Sequence, residues 1–320
     1  MHCELVVPGL FAAPAATRLP SVELLLARGR CTGSGMQSLE AWLQEAFELH
    51  EPLAAGALTL LGANGEPGAH SWLRADPVHL RLMRDRLVLV PAAALNIQRS
   101  EAEALGEALN RHFAPRLALQ VTDEQHWVAK AEHDLALDTR SPLELAGRDV
   151  APDLPAAESA LLNEAQMVLH EHPVNEAREA RGEPAINSVW FWGAGRKPQV
   201  SSKRWHSVSA ADPLALGLAR AAGMRHRPLP ARADAWLERS TEDGRHLVVL
   251  EALRAAADFQ DALARLERDW FAPLLAGLRA ERVGMVTIHV PDAGECLTYE
   301  TVRGDLRRFW RRPKALEHYA

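Results

Sequence analysis

The sequence predicts an α/β protein with a three-layer core, in which helices cover both faces of a mostly parallel sheet, and an inserted α+β domain. Three observations predict it. Short apolar runs bounded by Gly, Pro and Asp alternate with amphipathic helical stretches toward both ends of the chain, as βα units require. One run, "AINSVWFWGAG", is apolar on both faces, with Val189 and Phe191 one way and Trp190 and Trp192 the other. That is the pattern of a central parallel strand. Between about residues 80 and 183 the texture changes to short strands, a well-capped helix and a long polar loop.

Taken in order, "CELVV" is a first buried strand and "LPSVELLLARG" a helix that Ser21 caps and Gly29 closes. "SLEAWLQEAFELH" repeats the helical pattern, with Leu39, Trp42, Leu43, Ala46 and Phe47 on one face. "GALTLLG" reads as a buried strand between turn signals. In the middle block, "DRLVLV" and "RLALQV" are strands flanking the helix "SEAEALGEALNRHF", with Ser100 as cap and Glu103 in capping-box position. "DTRSPLELAGRDVAPDLP" is a turn-rich loop. "AESALLNEAQMVLHEHP" is a helix with Leu161, Leu162, Ala165, Val168 and Leu169 in one stripe, ended by Pro173. Later, "WHSVSAADPLALGLARAAGM" is a strand, turn and helix with Asp212 as cap, Pro213 at the first helical position and Gly223 as stop. "HLVVLEAL", a helix over 258–281 and "GMVTIHV" form a further β-α-β unit, and "CLTYETV" is an edge strand. The core therefore takes residues 1–80 and 184–320, and the insertion 81–183.

Composition narrows the function. The 320 residues carry 36 Lys and Arg against 42 Asp and Glu, a net charge of −6. That balance argues against a general nucleic-acid binder. Cys3, Cys31 and Cys296 form no CxxC pair, so neither a disulfide framework nor a zinc cluster is expected, and a reducing cytoplasm fits. The opening "MHCELVVPGLFAAPAA" lacks the basic flank of a secretory signal, and no apolar run reaches membrane-spanning length.

The stretch "HEHPVNEAREARGEPAINSVWFWGAG" carries the most specific pattern. Its His172, Pro173, Asn175, Arg178, Gly182, Ala185, Asn187, Trp192, Gly193 and Gly195 resemble a motif of the archaeal-type cofactor-independent phosphoglycerate mutases, of the alkaline phosphatase superfamily. The resemblance is strong over residues 163–224 and collinear elsewhere; the chain also resembles bacterial proteins labelled regulatory, of the RpfE type. It implies an alkaline-phosphatase-like core. It also implies a serine nucleophile with two divalent metals, which polarise phosphoryl oxygens and activate the serine.

The ligand clusters that the resemblance implies are not recognisable in this chain. Where an Asp should end the first strand stand Pro8 and Gly9, with no acid between Glu4 and Glu23. Where Asp, Gly-His and Asp should follow "HLVVLEALRAAA" there are Asp258 and Asp261 without a histidine, and acids at a helix start are ordinary. The late Asp-His pair becomes Asp292 and Ala293, and His289 reads as a strand residue. Ser34 and Ser38 lie near the nucleophile's place, but a serine ahead of a helix is commonly its cap. Ser38 is the one weak nucleophile candidate.

Other clusters are weaker. Gly193-Ala194-Gly195 lacks the rest of a dinucleotide loop. His170 and His172 point different ways. "HSWLRADPVHLR" gathers His70, Arg74, Asp76, His79 and Arg81 at what reads as a polar strand end, and "RGDLRRFWRRPK" is a basic tail. The expectation is a catalytically degenerate mutase homologue that binds or regulates, with no metal and no cofactor. Its partners would be a phosphorylated or carboxylate small molecule and a protein, with no nucleic acid and no membrane. Two alternatives stand beside it: an active mutase, or related metal-dependent phosphoryl-transfer enzyme, with shifted ligands; and a protein-interaction module that binds no small molecule. Ligand-binding residues would be Arg178, Asn175, His172, Asn187, Arg196 and Lys197. Asn175 would cap the helix that Gly182 ends, Asn187 would tie a hinge, and Arg178 would hold an anion beside Arg196, Lys197, Lys203 and Arg204.

Overall fold

Strand β1 (His2–Val6) sits at the middle of a seven-stranded sheet because its residues are apolar toward one face and packed on the other. It pairs in parallel with β10 (Arg245–Val249) and β11 (Met285–Pro291), and β10 pairs in parallel with β8 (Ser207–Ala210). The computed structural model describes residues 1–320 except 15–16, 36–37, 85, 138, 151–155, 241, 255 and 293–294, and at 156–158 the backbone alone. The described chain divides into two compact units, Met1–Glu48 with Val200–Ala320, and Leu49–Gln199.

In the first unit the strand order is β2-β12-β11-β1-β10-β8-β9, with β2 at Arg30–Ser34, β12 at Cys296–Val302 and β9 at Arg225–Pro228. Strand β9 is parallel to β8, whereas β12 runs antiparallel to both β11 and β2. So "CLTYETV" is not an edge strand: the exposed "RCTGS" covers its outer side. One face of the sheet presents Cys3, Leu5, Val248, Val286 and Ile288 to helices α1 (Pro20–Arg28), α8 (Ala233–Arg239), α9 (Phe259–Leu266) and α10 (Ala272–Arg279). The last two are one rod, joined by a π-helical segment at Glu267–Phe271. On the opposite face, Trp42 of α2 (Leu39–Ala46) lies 4.9 Å from the His289 ring. Helix α7 (Pro213–Ala221) follows β8 and is capped by Asp212 as expected. Ser21 does not cap α1. Glu23 accepts from the Leu19 N–H (2.8 Å) and Glu267 from the Ser21 N–H (2.7 Å), so two carboxylates satisfy that helix start.

The second unit is wider than the 81–183 insertion. Its sheet runs β4 (Arg86–Pro91), β3 (Ser71–Met83), β6 (Trp127–Ala131), β5 (Leu117–Val121), and β7 (Ser188–Gly195) also pairs with β3. That pairing is antiparallel. The strand read as a central parallel element of the core is thus an antiparallel member of the second sheet. It is apolar on both faces because helix α5 (Ala156–Leu169) and helix α3 (Ala55–Gly62) both pack on it, and cover on two sides gives the same pattern whatever the strand direction.

Helix α3 is itself a correction, since "GALTLLG" reads as a strand. A stretch of seven residues is too short to show a period, and Ala and Leu favour helix. Gly56 lets the helix backbone close on β3: a Cβ there would lie 2.3 Å from the Leu73 nitrogen. Helix α4 (Arg99–Phe113) starts earlier than Ser100 implies, with Glu101 accepting from the Gln98 N–H at 3.0 Å. The polar loop at 138–155 lies partly outside the described residues. Its described part is fastened to β4 through Gly147 N–H to Leu89 O (3.0 Å) and Val150 N–H to Leu87 O (2.9 Å). Among the described residues no helix is long and apolar enough to cross a membrane.

Candidate functional site

In an open α/β sheet, ligands bind beyond the carboxyl ends of the parallel strands. In the first unit those ends carry Val7-Pro8-Gly9 after β1, Asp212 after β8, Glu251 and Arg254 after β10, and Asp292 after β11. Arg254 Nη2 donates to both Glu40 oxygens, at 2.8 and 2.9 Å, and Nη1 to Glu251 Oε1 at 3.2 Å. The three side chains are 9, 12 and 14% exposed. Burial works against the guanidinium charge, but Glu40, Glu251 and Asp212 outweigh it and raise its pKa.

The strand ends can therefore be tested against a pair of divalent metals. Such a site needs several free Asp and His ligands. Here Glu40 and Glu251 are held by an internal cation, and Asp212 Oδ1 accepts from the Leu214 N–H at 2.6 Å. Asp258 caps α9 by accepting from the Asp261 N–H at 2.9 Å, and Asp261 pairs with Arg265. No group of three His, Cys, Asp or Glu positioned for a metal occurs among the described residues. Ala293 lies outside them. Among the described residues, no donor set for two metals is assembled.

Ser38 caps α2, its Oγ accepting from the Ala41 N–H at 3.2 Å. His289 is buried in mid-strand. Its Nδ1 bonds Thr298 Oγ1 at 2.9 Å, and its Nε2 lies 3.6 Å from Glu4. Glu4, the last acid before Glu23 in the sequence, is the hub of that face. Its fully buried carboxylate accepts from Trp205 Nε1 at 3.0 Å and from Arg245 Nε, and Arg204 stands 3.5 Å away. Burial favours its neutral form. The nearby His289 ring and the bonds from Arg245 and Trp205 more than offset this and hold it well below the usual carboxylate range.

The 170–195 motif lies wholly in the second unit, and most of its polar groups face protein. Helix α6 (Pro173–Ala180) is capped by His172, whose Nδ1 accepts from the Val174 N–H at 3.2 Å, and not by Asn175. Burial lowers the His172 pKa, which keeps that nitrogen an acceptor. Asn175 is buried inside the helix. Its amide donates to Leu169 O (2.8 Å) and Ile186 O (3.0 Å), and its oxygen accepts from the Ile186 N–H at 2.7 Å. Gly182, at φ +74°, ends the turn after the helix. Asn187 bonds both backbone groups of Leu80, at 2.8 and 2.9 Å.

Arg178 has no exposed side-chain surface. Its Nε donates to Pro184 O (2.8 Å), Nη1 to Glu101 (2.7 Å) and Nη2 to Leu95 O (2.5 Å). This geometry makes it an internal strut, enclosed by protein and not open to an anion as the sequence suggests. The pairing acid is Glu101, 77 residues away, with Glu183 farther at 3.6 Å. Arg196 pairs on the surface with Asp134 at 2.9 Å, and Lys197 is exposed. Lys203 and Arg204 belong to the first unit.

The remaining clusters resolve locally. Arg74 and Asp76 are a buried pair in the middle of β3, not at a strand end. Arg74 Nε lies 2.8 Å from Asp76 Oδ1, and Trp192 Nε1 donates to Asp76 Oδ2 at 2.7 Å. The basic tail is tied back to the end of α1, where Arg308 donates to Arg28 O (3.0 Å) and Arg311 to Gly29 O (2.7 Å). Phe309 and Trp310 between them are exposed.

No family model matches the chain. A probable 2,3-bisphosphoglycerate-independent phosphoglycerate mutase of Geobacter sulfurreducens is 25% identical over 216 residues, 58% of this chain and 51% of the relative. A second such mutase, of Methanothermobacter thermautotrophicus, is 29% identical over 156 residues, 44% and 39% of the two chains. A third, of Methanothrix thermoacetophila, is 32% identical over 102 residues, 28% and 25%. The chain thus matches about half or less of the length of these curated relatives. Among solved structures, a Pyrococcus horikoshii protein superimposes with TM-score 0.58 at 15% identity, covering 94% of this chain and 87% of that one. A cofactor-independent phosphoglycerate mutase of Thermoplasma acidophilum gives 0.51 at 17% identity, covering 100% and 94%. The chain is an α/β protein of alkaline-phosphatase-like fold whose sequence relatives are cofactor-independent phosphoglycerate mutases.

Proposed function

We propose that this chain is a phosphoglycerate-mutase-like protein that acts by binding or regulation and does not carry out two-metal phosphoryl transfer. One observation carries the reading: the guanidinium of Arg254 is buried between Glu40 and Glu251 at the strand ends. A fixed organic cation there neutralises carboxylates that a metal would need, and it offers no open coordination position. Ser38 is engaged as a helix cap, and among the described residues no base is hydrogen-bonded to it. The molecule it recognises is a phosphorylated or carboxylate metabolite, or a partner protein.

The test is interconversion of 2- and 3-phosphoglycerate by the full chain, assayed with manganese, cobalt, zinc and magnesium in turn. The expected result is no turnover above the metal-only blank. Metal-dependent turnover that disappears in Glu40→Gln or Glu251→Gln would overturn the proposal in favour of an active enzyme with shifted ligands.

A further inference from the structure

Away from the strand ends, the outer edge of the first unit's sheet holds a second polar site. Parallel register sets Arg225, Ser207 and His246 in one row across β9, β8 and β10, and Arg227, Ser209 and Val248 in the next. With a period of two, both rows face the same side. Helix α8 covers that side, its Trp236 ring standing edge-on to His246 at 6.0 Å. Between them is a small pocket of about 30 Å³, open to solvent on one side.

Its hydrogen-bonding roles can be assigned. His246 Nε2 lies 3.0 Å from the carbonyl oxygen of Glu242, which can only accept, so Nε2 carries the proton. Nδ1 then accepts from Ser207 Oγ at 2.8 Å, and the serine oxygen keeps its lone pairs for the pocket. Burial, with nearby His206, lowers the His246 pKa and keeps the ring in this neutral form. Ser209 is 4% exposed, lines the pocket, and has no hydrogen-bond partner for its hydroxyl among the described residues. That hydroxyl opens to the pocket and is free to donate to a guest. Arg227 has only a 3.3 Å bond to the Arg239 carbonyl, and Arg239 has no carboxylate partner among the described residues. One acid lines the pocket. Glu242 is held ionised, chiefly by its bond from Arg225, and also pairs with His206 at 2.7 Å.

The pocket therefore offers two cationic donors, one free hydroxyl donor and the unpaired indole N–H of Trp236, beside a serine acceptor and a carboxylate. A fully ionised oxyanion would meet the last two lone pair to lone pair. We propose that this site binds hydrogenphosphate, a tetrahedral anion that accepts from Arg227, Arg239 and Ser209 and donates its own P–OH to Ser207 or Glu242. The site is independent of the strand-end reading above: phosphate titration reads this pocket, and the mutase assay reads the other.

The test is calorimetric titration of the full chain at neutral pH with inorganic phosphate, sulfate and methyl phosphate. Phosphate should bind at one site, and sulfate and the methyl phosphate dianion, which lack the acidic proton, about tenfold or more weaker. Ser209→Ala and Arg227→Gln should each weaken phosphate by about tenfold while leaving the unfolding midpoint near wild type. Ser209→Thr, which restores a hydroxyl, controls for packing and should retain more binding than Ser209→Ala. Absence of saturable phosphate binding, equal binding of sulfate, or wild-type affinity in both Ser209→Ala and Arg227→Gln would each overturn the proposal.

Discussion

Arg254 and Glu40 meet through both carboxylate oxygens, at 2.8 and 2.9 Å from one guanidinium nitrogen, although they are 214 residues apart. The pair joins the start of α2 to the loop after β10 at the place where this fold collects its ligands. Removing one partner of a buried pair strands the other. Arg254→Ala should therefore cost about 3–5 kcal/mol in urea unfolding, and a double-mutant cycle with Glu40→Gln should show strong coupling. A loss below about 1 kcal/mol would mean that the pair is a solvated surface contact.

Glu4 gives the chain an acid-side dependence with a definite sign. Its folded pKa is depressed: burial alone would raise it, but the nearby His289 ring and bonds from Arg245 and Trp205 prevail. A depressed carboxylate contributes stability above its unfolded value, about 4.3, and loses that contribution as pH falls through the folded value. Wild type should exceed Glu4→Gln in unfolding midpoint at pH 7, and the gap should narrow steadily below about pH 4. A gap unchanged from pH 7 to pH 3 would remove Glu4 from this role.

Arg178 should behave as a strut. Its three donor directions end on Pro184 O, Glu101 and Leu95 O, so truncation leaves a buried carboxylate and two carbonyls short of donors. Arg178→Ala is expected to cost about 3–5 kcal/mol, with little recovery in Arg178→Lys, because a point ammonium cannot reach three divergent acceptors. Recovery of full stability by lysine would contradict that geometry. Phosphate affinity should be the same in wild type and in any folded Arg178 variant.

The α/β class, the first strand, α2 with its Ser38 cap and the Asp212–Pro213 start of α7 were legible because each is a local pattern with a local cause. The direction of β7 was not: burial on two faces makes the same apolar run in either sheet, and its partner β3 lies more than a hundred residues earlier. Helix α3 was hidden by its brevity, and β9 by its polar, proline-ended sequence "RHRP". At the strand ends, the departures at Pro8 and near Asp258 could be read directly, whereas Arg254 looked like any charge in a loop. Only the pairing of residues 40 and 254 gives it meaning. Arg178 and Asn175 were noticed through the motif, but a motif records which residues matter and not whether their partners are ligands or backbone.

The central claim is that a protein cation, and not a metal pair, balances the carboxylates at the strand ends. It is tested most directly by calorimetric titration of the full chain with manganese in the presence of 3-phosphoglycerate. The account predicts no stoichiometric binding of two ions and no difference between wild type and Glu251→Gln. Two manganese ions bound per chain, weakened in Glu40→Gln and Glu251→Gln, would contradict it.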